Sequence, residues 1–567
     1  MENKSNMADD IPTVNLDDTS SAKTDSPPDS NRDSLNSLLH KTKDKNENCI
    51  DDCDLGKQCS MICTDNSNDS KARNAFCCSS MGQSVWGVIL MIMSISGFIY
   101  FNPTDIMLWE KLNMRPGLPP YEWWSDPPDQ VRMRVYVFNI TNHDRFLAGL
   151  DEKINVKEIG PITYLEKLLH SKIRFNENGT MTYEARRFLI YLPDENTINM
   201  NTTIIVPNLA LLGIASRLHD ANYFVRTGFN ILVNSHNSQW FVKRSVYQYL
   251  WDYREGILET TKNIAPQMVP TTNMGMLHSI YKDFVDNVTV KIGPEWGHEN
   301  FFKIDKYGGR EQLKGYDLET CNERLTGSTE GVLYHQHLKK DDVLYYLRKT
   351  ICRTMPLYFD QEITIDDVPA YRYNLSEKAF DRIKNDTDCY DMEPSLPDGL
   401  SDTSKCYDGL PLVASYPHFY TSTKPEEYVT GLEPSREKHN SFVVVEPLSG
   451  TPFRAVARMQ CNMKVSNLSD FNIKPYDRFS NLVIPVGWIE YSQEGLPPII
   501  KNTIYFMVVI LPPLSTAFIC TTLLVGFCLI IKQIYRAKRD LFNRKIDRLT
   551  NNKVLSFETE TFIKVPS

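Results

Sequence analysis

Cysteine is missing from the whole stretch between Cys78 and Cys321, although the chain carries 13 cysteines in 567 residues. Charge is missing from two runs, Val85–Phe101 and Ile504–Ile531. The first eighty residues are almost without aromatics. Any excess of basic residues is missing too: the formal net charge is −9, which gives no support for nucleic-acid binding. G-x-S-x-G, H-E-x-x-H and a glycine-rich phosphate loop are all lacking, so the expectation is a non-enzyme without a cofactor. His335-Gln336-His337 puts two imidazoles on one face of a strand, but the sequence supplies no third ligand, and no metal site is expected there.

The uncharged runs organise what is present. Leu514–Ile531, after the Pro512-Pro513 pair, spans most of a ~30 Å hydrocarbon core at ~1.5 Å per residue. Lys532, Arg536, Lys538, Arg539, Arg544, Lys545 and Arg548 follow at once, which places that end in the cytoplasm. Val85–Phe101 is shorter and is extended by Met81–Ser84; Lys71 and Arg73 precede it, and Asp105 and Glu110 follow it. That polarity puts the N-terminus in the cytoplasm as well. The expected organisation is a disordered acidic tail (1–80), a transmembrane helix (81–101), an ectodomain (102–502), a second transmembrane helix (503–531) and a basic cytoplasmic tail (532–567). Such a tail buries too little to offset its ordering entropy. Its Cys49, Cys53, Cys59 and Cys63 lack the C-x2-C spacing usual for zinc and read as dispersed thiols. Cys77 and Cys78, beside the first apolar run, are candidates for palmitoylation.

Two further signals agree with that topology. N-x-S/T sequons at Asn139, Asn178, Asn201, Asn287, Asn374, Asn385 and Asn467 lie between the apolar runs; Asn3 and Asn68 also match but fall in the tail expected to be cytosolic. Cys321, Cys352, Cys389, Cys406 and Cys461 gather in the C-terminal half of the same region, where an oxidising lumen permits bridges. Five is odd, so at least one thiol is left over.

Within the ectodomain, Val131–Ile140 alternates polar with apolar as a half-buried strand does. Val156–Tyr164 is a strand interrupted by Gly160-Pro161, which suits a bulge or an edge. Met181–Leu192 is a further strand. From about 206 to 253 apolar residues recur at helical spacing through Pro207–Leu218, Asn222–Val233 and Gln239–Tyr253, predicting a small bundle that either docks a protein partner or packs on the sheet. Beyond 270 short strands dominate, notably Asn287–Ile292, Asp342–Leu347, Val368–Tyr373, Phe442–Glu446 and Phe453–Lys464, which predicts an antiparallel sandwich or barrel.

The segments VYVFNITN (135–142), VKEIGPITY (156–164), YLWDYREGIL (249–258), ICRTMPLYFD (351–360), SKCYDGLPLVASYPHFY (404–420) and GLEPSREKHNSFVVVEPLSG (431–450) together resemble the class B scavenger receptors. That family includes the fatty-acid translocase, the lysosomal integral membrane protein and the insect sensory-neuron membrane proteins. The resemblance runs from about Val85 to Ile531. It implies an α+β membrane protein whose ectodomain is a large antiparallel β-barrel with an apical helical bundle and an internal hydrophobic tunnel. It also implies the bridges Cys321–Cys389 and Cys352–Cys406. Asp391 stands where many members have a further cysteine, and Asn234-Ser235-His236-Asn237 stands where some place lysines. Tyr334–His337 replaces a run that often reads Phe-Pro-Pro.

The function so implied is binding of hydrophobic ligands (fatty acids, sterols, carotenoids, lipoprotein lipid) and their transfer to the membrane through the tunnel. The tunnel-lining residues are not legible in the sequence. The expected residence is the plasma membrane. A lysosomal or endosomal receptor is the alternative, for which Glu558–Ile563 faintly resembles an acidic dileucine signal. A two-span channel subunit is a further alternative, weakened by spans that offer only scattered Ser, Thr and Cys.

Overall fold

The computed structural model describes residues 68–561, except 100–109, 111, 283, 314–324, 326, 382–388, 393–394 and 423. The chain divides into two units, Met1–Ser79 and Ser80–Ser567. Most of the tail expected to be disordered lies outside the described residues. From Asn68 onward the chain is helical through Ile99.

The second unit is built on strands β1 (Val131–Ile140), β2 (Ile154–Phe175), β3 (Thr180–Tyr191), β4 (Thr203–Pro207), β5 (Phe241–Ser245), β6 (Val285–Lys291), β7 (Ile304–Tyr307) and β8 (Leu344–Arg348). It continues with β9 (Arg353–Ile365), β10 (Val368–Leu375), β11 (Ser401–Asp402), β12 (Leu412–Ser415), β13 (Val429–Thr430), β14 (Phe442–Val445), β15 (Pro452–Lys464) and β16 (Val483–Glu494). The main path runs β7-β6-β3-β2-β1-β16-β15-β14-β10-β9-β8, and every pairing along it is antiparallel. The chain ends of the domain, β1 and β16, are neighbours at its centre, so the sheet cannot be completed until the last strand is made.

The expected closed barrel is corrected. No ladder joins β7 to β8 among the described residues. Instead a short segment lies between the edges: Ile304 N donates to Ser328 O, and Leu347 N donates to Thr329 O, both at 2.8 Å. One irregular segment can satisfy a few edge groups of each strand, but it cannot bring them into register.

The bulge expected at Gly160-Pro161 is present: the register of β1 with β2 shifts opposite Tyr136. A Cβ on Gly160 would stand 2.6 Å from Tyr136 Cδ1, so only glycine lets the two backbones approach here. The expected helical stretch Gln239–Tyr253 is corrected in part. Its first half is β5, paired with β4, and only Val246–Trp251 is helical. Thr203–Pro207 offers Phe241–Ser245 a partner, a long-range contact that helical periodicity does not reveal.

The helical region nevertheless shares one core with the sheet. Helix Leu209–Arg217 is apolar all round and buried from Leu209 to Ser216. Its Leu211 joins Tyr249, Tyr253, Phe138 of β1 and Ile484 of β16 in a single cluster. Helix Tyr223–Ser235 differs: it buries Phe229 and Val233 and leaves Tyr223, Phe224 and Ile231 exposed.

At the C-terminal side, helix Pro498–Tyr505 packs Ile500 and Ile504 against Val368 and Phe453 of the sheet. A π-turn, Phe506–Ile510, follows, and then helix Leu511–Thr561. The wide turn comes just before Pro512-Pro513, whose rings would otherwise meet carbonyls four residues back. The tail from 532 is therefore helical through Thr561, not a plain appendage. Pro498–Thr550 is long and apolar enough to cross a membrane; Gly82–Gly97 is apolar but shorter. The two pack side by side at Gly87 and Gly526, with Ser94 Oγ 2.7 Å from Thr522 Oγ1 and Gln533 Nε2 donating to Gln83 Oε1 at 2.8 Å.

Candidate functional site

A cavity of about 320 Å³ opens between the sheet and the foot of the C-terminal helix. Its wall is mostly apolar, with Trp123, Phe284, Leu347 and Met355 from the domain and Ile504 and Val508 from the helix. A second cavity of about 70 Å³ adjoins it and shares Thr350, Ile351 and Met459 with it. A third, of about 10 Å³, shares Met274 and Leu410 with the second and reaches Leu258 and Arg217 in the helical region. The three form a series from the C-terminal helix to the helices around Leu209–Arg217. The partitions include Met459 and Met274, whose unbranched side chains reorient readily.

The large cavity also carries a band of polar groups. Arg187 Nη1 donates to Glu166 Oε1 at 2.8 Å, and Arg187 Nη2 lies 3.7 Å from Glu330 Oε2. Tyr183 Oη donates to Glu330 at 2.6 Å. Tyr281 Oη donates to Glu166 Oε2 at 2.6 Å and lies 2.8 Å from Tyr491 Oη. Lys349 pairs with Asp286. Burial pushes the Glu330 carboxyl up, against the pull of Arg187 and Tyr183. Burial works against the Arg187 charge, yet Glu166 and Glu330 hold it more firmly protonated than a free guanidinium. Such a band inside an apolar wall makes a place for a polar head next to a place for a greasy body.

The sequence model of the CD36 family matches residues 85–537. The chain belongs to the CD36 family. Curated relatives of this CD36-family chain include lysosome membrane protein 2 of Rattus norvegicus, 27 % identical over 71 % of this chain and 84 % of the relative. The mouse protein of the same name, from Mus musculus, is 28 % identical over the same shares. Scavenger receptor class B member 1 of Cricetulus griseus is 25 % identical over 76 % and 84 %.

The residues singled out in the sequence fall in several places. Cys352 and Cys406 are joined, with Cα atoms 6.0 Å apart. Cys389 is disulfide-bonded, and Cys321 lies outside the described residues. Cys461 is a free thiol in the wall of the second cavity, and burial pushes it up to about 12. Asn178, Asn201, Asn287 and Asn467 are exposed. Asn139 and Asn374 are half-buried, and Asn139 Oδ1 accepts from Ile205 N at 2.8 Å. Asn385 lies outside the described residues. Cys77 and Cys78 lie on helix Asn68–Ile99.

His335-Gln336-His337 is not in a strand, which corrects that expectation. His337 has a positive φ of 54°, and the two imidazoles go separate ways. His335 lies 3.8 Å from Asp342, while His337 stands edge-on to His298 at 4.5 Å.

Sequence reasoning missed the polar band. Its signal was present in β2 and β3, where Glu166 falls in phase with Tyr164 and Arg187 with Tyr183 and Ala185. Those neighbours form the buried face of each strand. A charge in phase with an apolar face marks an interior site.

Proposed function

We propose that this chain is a membrane-anchored receptor that binds hydrophobic ligands such as fatty acids, sterols, carotenoids or lipoprotein lipid. It passes them along the series of cavities toward the bilayer. The observation that carries this reading is that series, mostly apolar and ending on Ile504 and Val508 of the helix long enough to span a membrane. A lipid crossing water loses roughly 0.8 kcal/mol for every exposed methylene, and an apolar conduit removes that barrier without any reacting group. Membership of the CD36 family, with relatives named scavenger receptor class B member 1, supports a lipid-binding receptor.

In this reading Gly82–Gly97 belongs to a second span, residues 102–502 are the ectodomain, and both termini are cytoplasmic. Cys321–Cys389 is the second bridge, the exposed sequons carry glycans, and Cys77 and Cys78 are palmitoylated.

The test is uptake of fluorescent lipid by cells expressing the full chain or its Met459→Trp variant. Met459 lines both larger cavities, so an indole there closes the passage. Uptake is expected to fall to background at equal surface expression. Uptake that survives the block ends the transfer reading.

A second reading concerns residence. The relatives named lysosome membrane protein 2 favour a lysosomal or endosomal membrane over the plasma membrane. Phe562 and Ile563, the candidate sorting residues, lie outside the described residues. Imaging a tagged chain with and without Phe562→Ala and Ile563→Ala separates the two: lysosomal signal that moves to the surface supports the second reading.

A further inference from the structure

Among the cations of the polar band, Arg348 stands apart. Arg187 has Glu166 and Glu330, and Lys349 has Asp286. Arg348 is 9 % exposed, and among the described residues no carboxylate pairs with it. Its Nη1 donates to Tyr346 Oη at 3.0 Å, and its Cζ lies 4.1 Å over the Tyr491 ring. Its Nη2 is buried and, among the described residues, has no hydrogen-bond partner. A second donor-only group of the same wall, Trp124 Nε1, is also buried and has no partner among the described residues.

An interior guanidinium without a counter-ion is costly, and the buried Nη2 calls for an acceptor atom. A sterol hydroxyl or an ester carbonyl offers an acceptor but no charge. A carboxylate offers both, in the flat geometry that a guanidinium fork grips with two parallel bonds. Position agrees. Arg348 lines the large cavity two residues from Thr350, which lines both that cavity and the second, while Ile504 and Val508 of the C-terminal helix line the large cavity only. A volume of about 320 Å³ is at the small end of ligand sites and suits one acyl chain better than a two-chain lipid.

We propose that Arg348 is the anchor for the acid group of a single-chain anionic lipid, and that it gives this conduit a preference for long-chain acids over their neutral counterparts. The head lies against β8 at the junction of the two cavities, and the chain runs toward the C-terminal helix. Tyr346 and Tyr491 hold the guanidinium in place. This inference rests on the cavity being a lipid site.

The experiment measures binding of hexadecanoic acid and hexadecan-1-ol to the full chain in neutral-detergent micelles at neutral pH. The wild type is expected to favour the acid by about tenfold or more, the size of a charge-assisted hydrogen bond. Arg348→Met is expected to erase the preference, weakening the acid far more than the alcohol. Equal affinities in the wild type overturn the proposal, as does a preference that persists in Arg348→Met. If neither probe binds the wild type, the lipid-site reading itself has failed, which is a different result.

A second measurement needs no variant and stands if Arg348→Met does not fold. A hexadecanoic acid photolabelled beside its carboxylate is cross-linked to the wild type. Labels on Leu344–Ile351 are expected; labels confined to the helical region or to Ile500–Val508 overturn the assignment.

Discussion

At the scale of single residues, a histidine pair outside the cavity is held from several sides. His418 Nε2 donates to Glu158 Oε2 at 2.7 Å, and Trp488 Nε1 donates to the same oxygen at 2.7 Å. His439 stacks on His418 with centroids 4.7 Å apart. Glu433 N donates to His418 Nδ1, and Ser435 N donates to His439 Nδ1. An Nδ1 that accepts from a backbone amide has no room for a proton, so the His439 ring is held neutral. Burial, then the neighbouring His418, pushes His439 down to about 4. Burial opposes the Glu158 charge, but the His418 and Trp488 donors outweigh it and hold that carboxyl low.

The sign follows from linkage. The unfolded chain takes up a proton at His439 near pH 6.5, whereas the folded chain resists until about 4, so stability is lost as pH falls through that window. Glu158 acts in the same direction, because a depressed carboxyl loses its contribution as pH falls. Melting temperature, followed from neutral pH down to 4, is expected to drop. His439→Asn, which keeps an acceptor for Ser435 N but does not titrate, is expected to flatten part of that fall. An unchanged slope in the variant removes His439 from the account.

At the scale of elements, two close approaches carry predictions. Gly160 lies in the bulge of β2, and a methyl there collides with Tyr136, whose ring stacks on Trp488 at 3.8 Å. Gly160→Ala is expected to cost about 1–3 kcal/mol, as overpacking does, and chemical denaturation of the full chain measures it. A loss under ~0.5 kcal/mol shows that the ring moves aside without strain.

The second approach is between the apolar helices. A Cβ on Gly526 would stand 2.9 Å from Gly87 O, so the small residues set the helix separation. Cysteines placed at Ser94 and Thr522, whose hydroxyls are 2.7 Å apart, are expected to cross-link readily. Gly526→Ile is expected to reduce that cross-linking severalfold. Equal yields in both backgrounds show that the pairing does not depend on the glycines.

Local pattern revealed several elements well. Val131–Ile140 is a strand with the bounds its alternation indicates, and the Gly160-Pro161 interruption is the bulge it suggests. By contrast, β16 passes unnoticed because Val483–Glu494 opens on a near-continuous apolar run with Pro485 and Gly487 inside it, buried between β1 and β15. A strand covered on both faces has no alternation to read.

At the scale of the whole molecule, the expected topology makes residues 102–502 one extracytoplasmic unit, and the sequons test it. Asn178, Asn201, Asn287 and Asn467 are exposed and within reach of the glycosylation machinery once the domain is luminal. Enzymatic removal of N-glycans from the full chain is expected to shift its mobility. Each Asn→Gln change at these four positions is expected to remove one step. A chain whose mobility does not change on deglycosylation argues for a cytosolic domain and against the receptor reading.

The sequence by itself determined the uncharged helices, the basic flank, most of the strands and the segments that place this chain in its family. Those are local properties, set by composition and by periods of 2 and 3.6 residues. Only the tertiary structure decided the series of cavities, the open ladder between β7 and β8, and the counter-ion each buried charge meets. These depend on contacts between residues far apart in the chain: Glu166 reaches Arg187 and Tyr281, and Arg348 reaches Tyr491 and, among the described residues, no carboxylate. Space and charge pairing belong to the packed whole, because a void or an unpaired guanidinium exists only once the distant walls around it have come together.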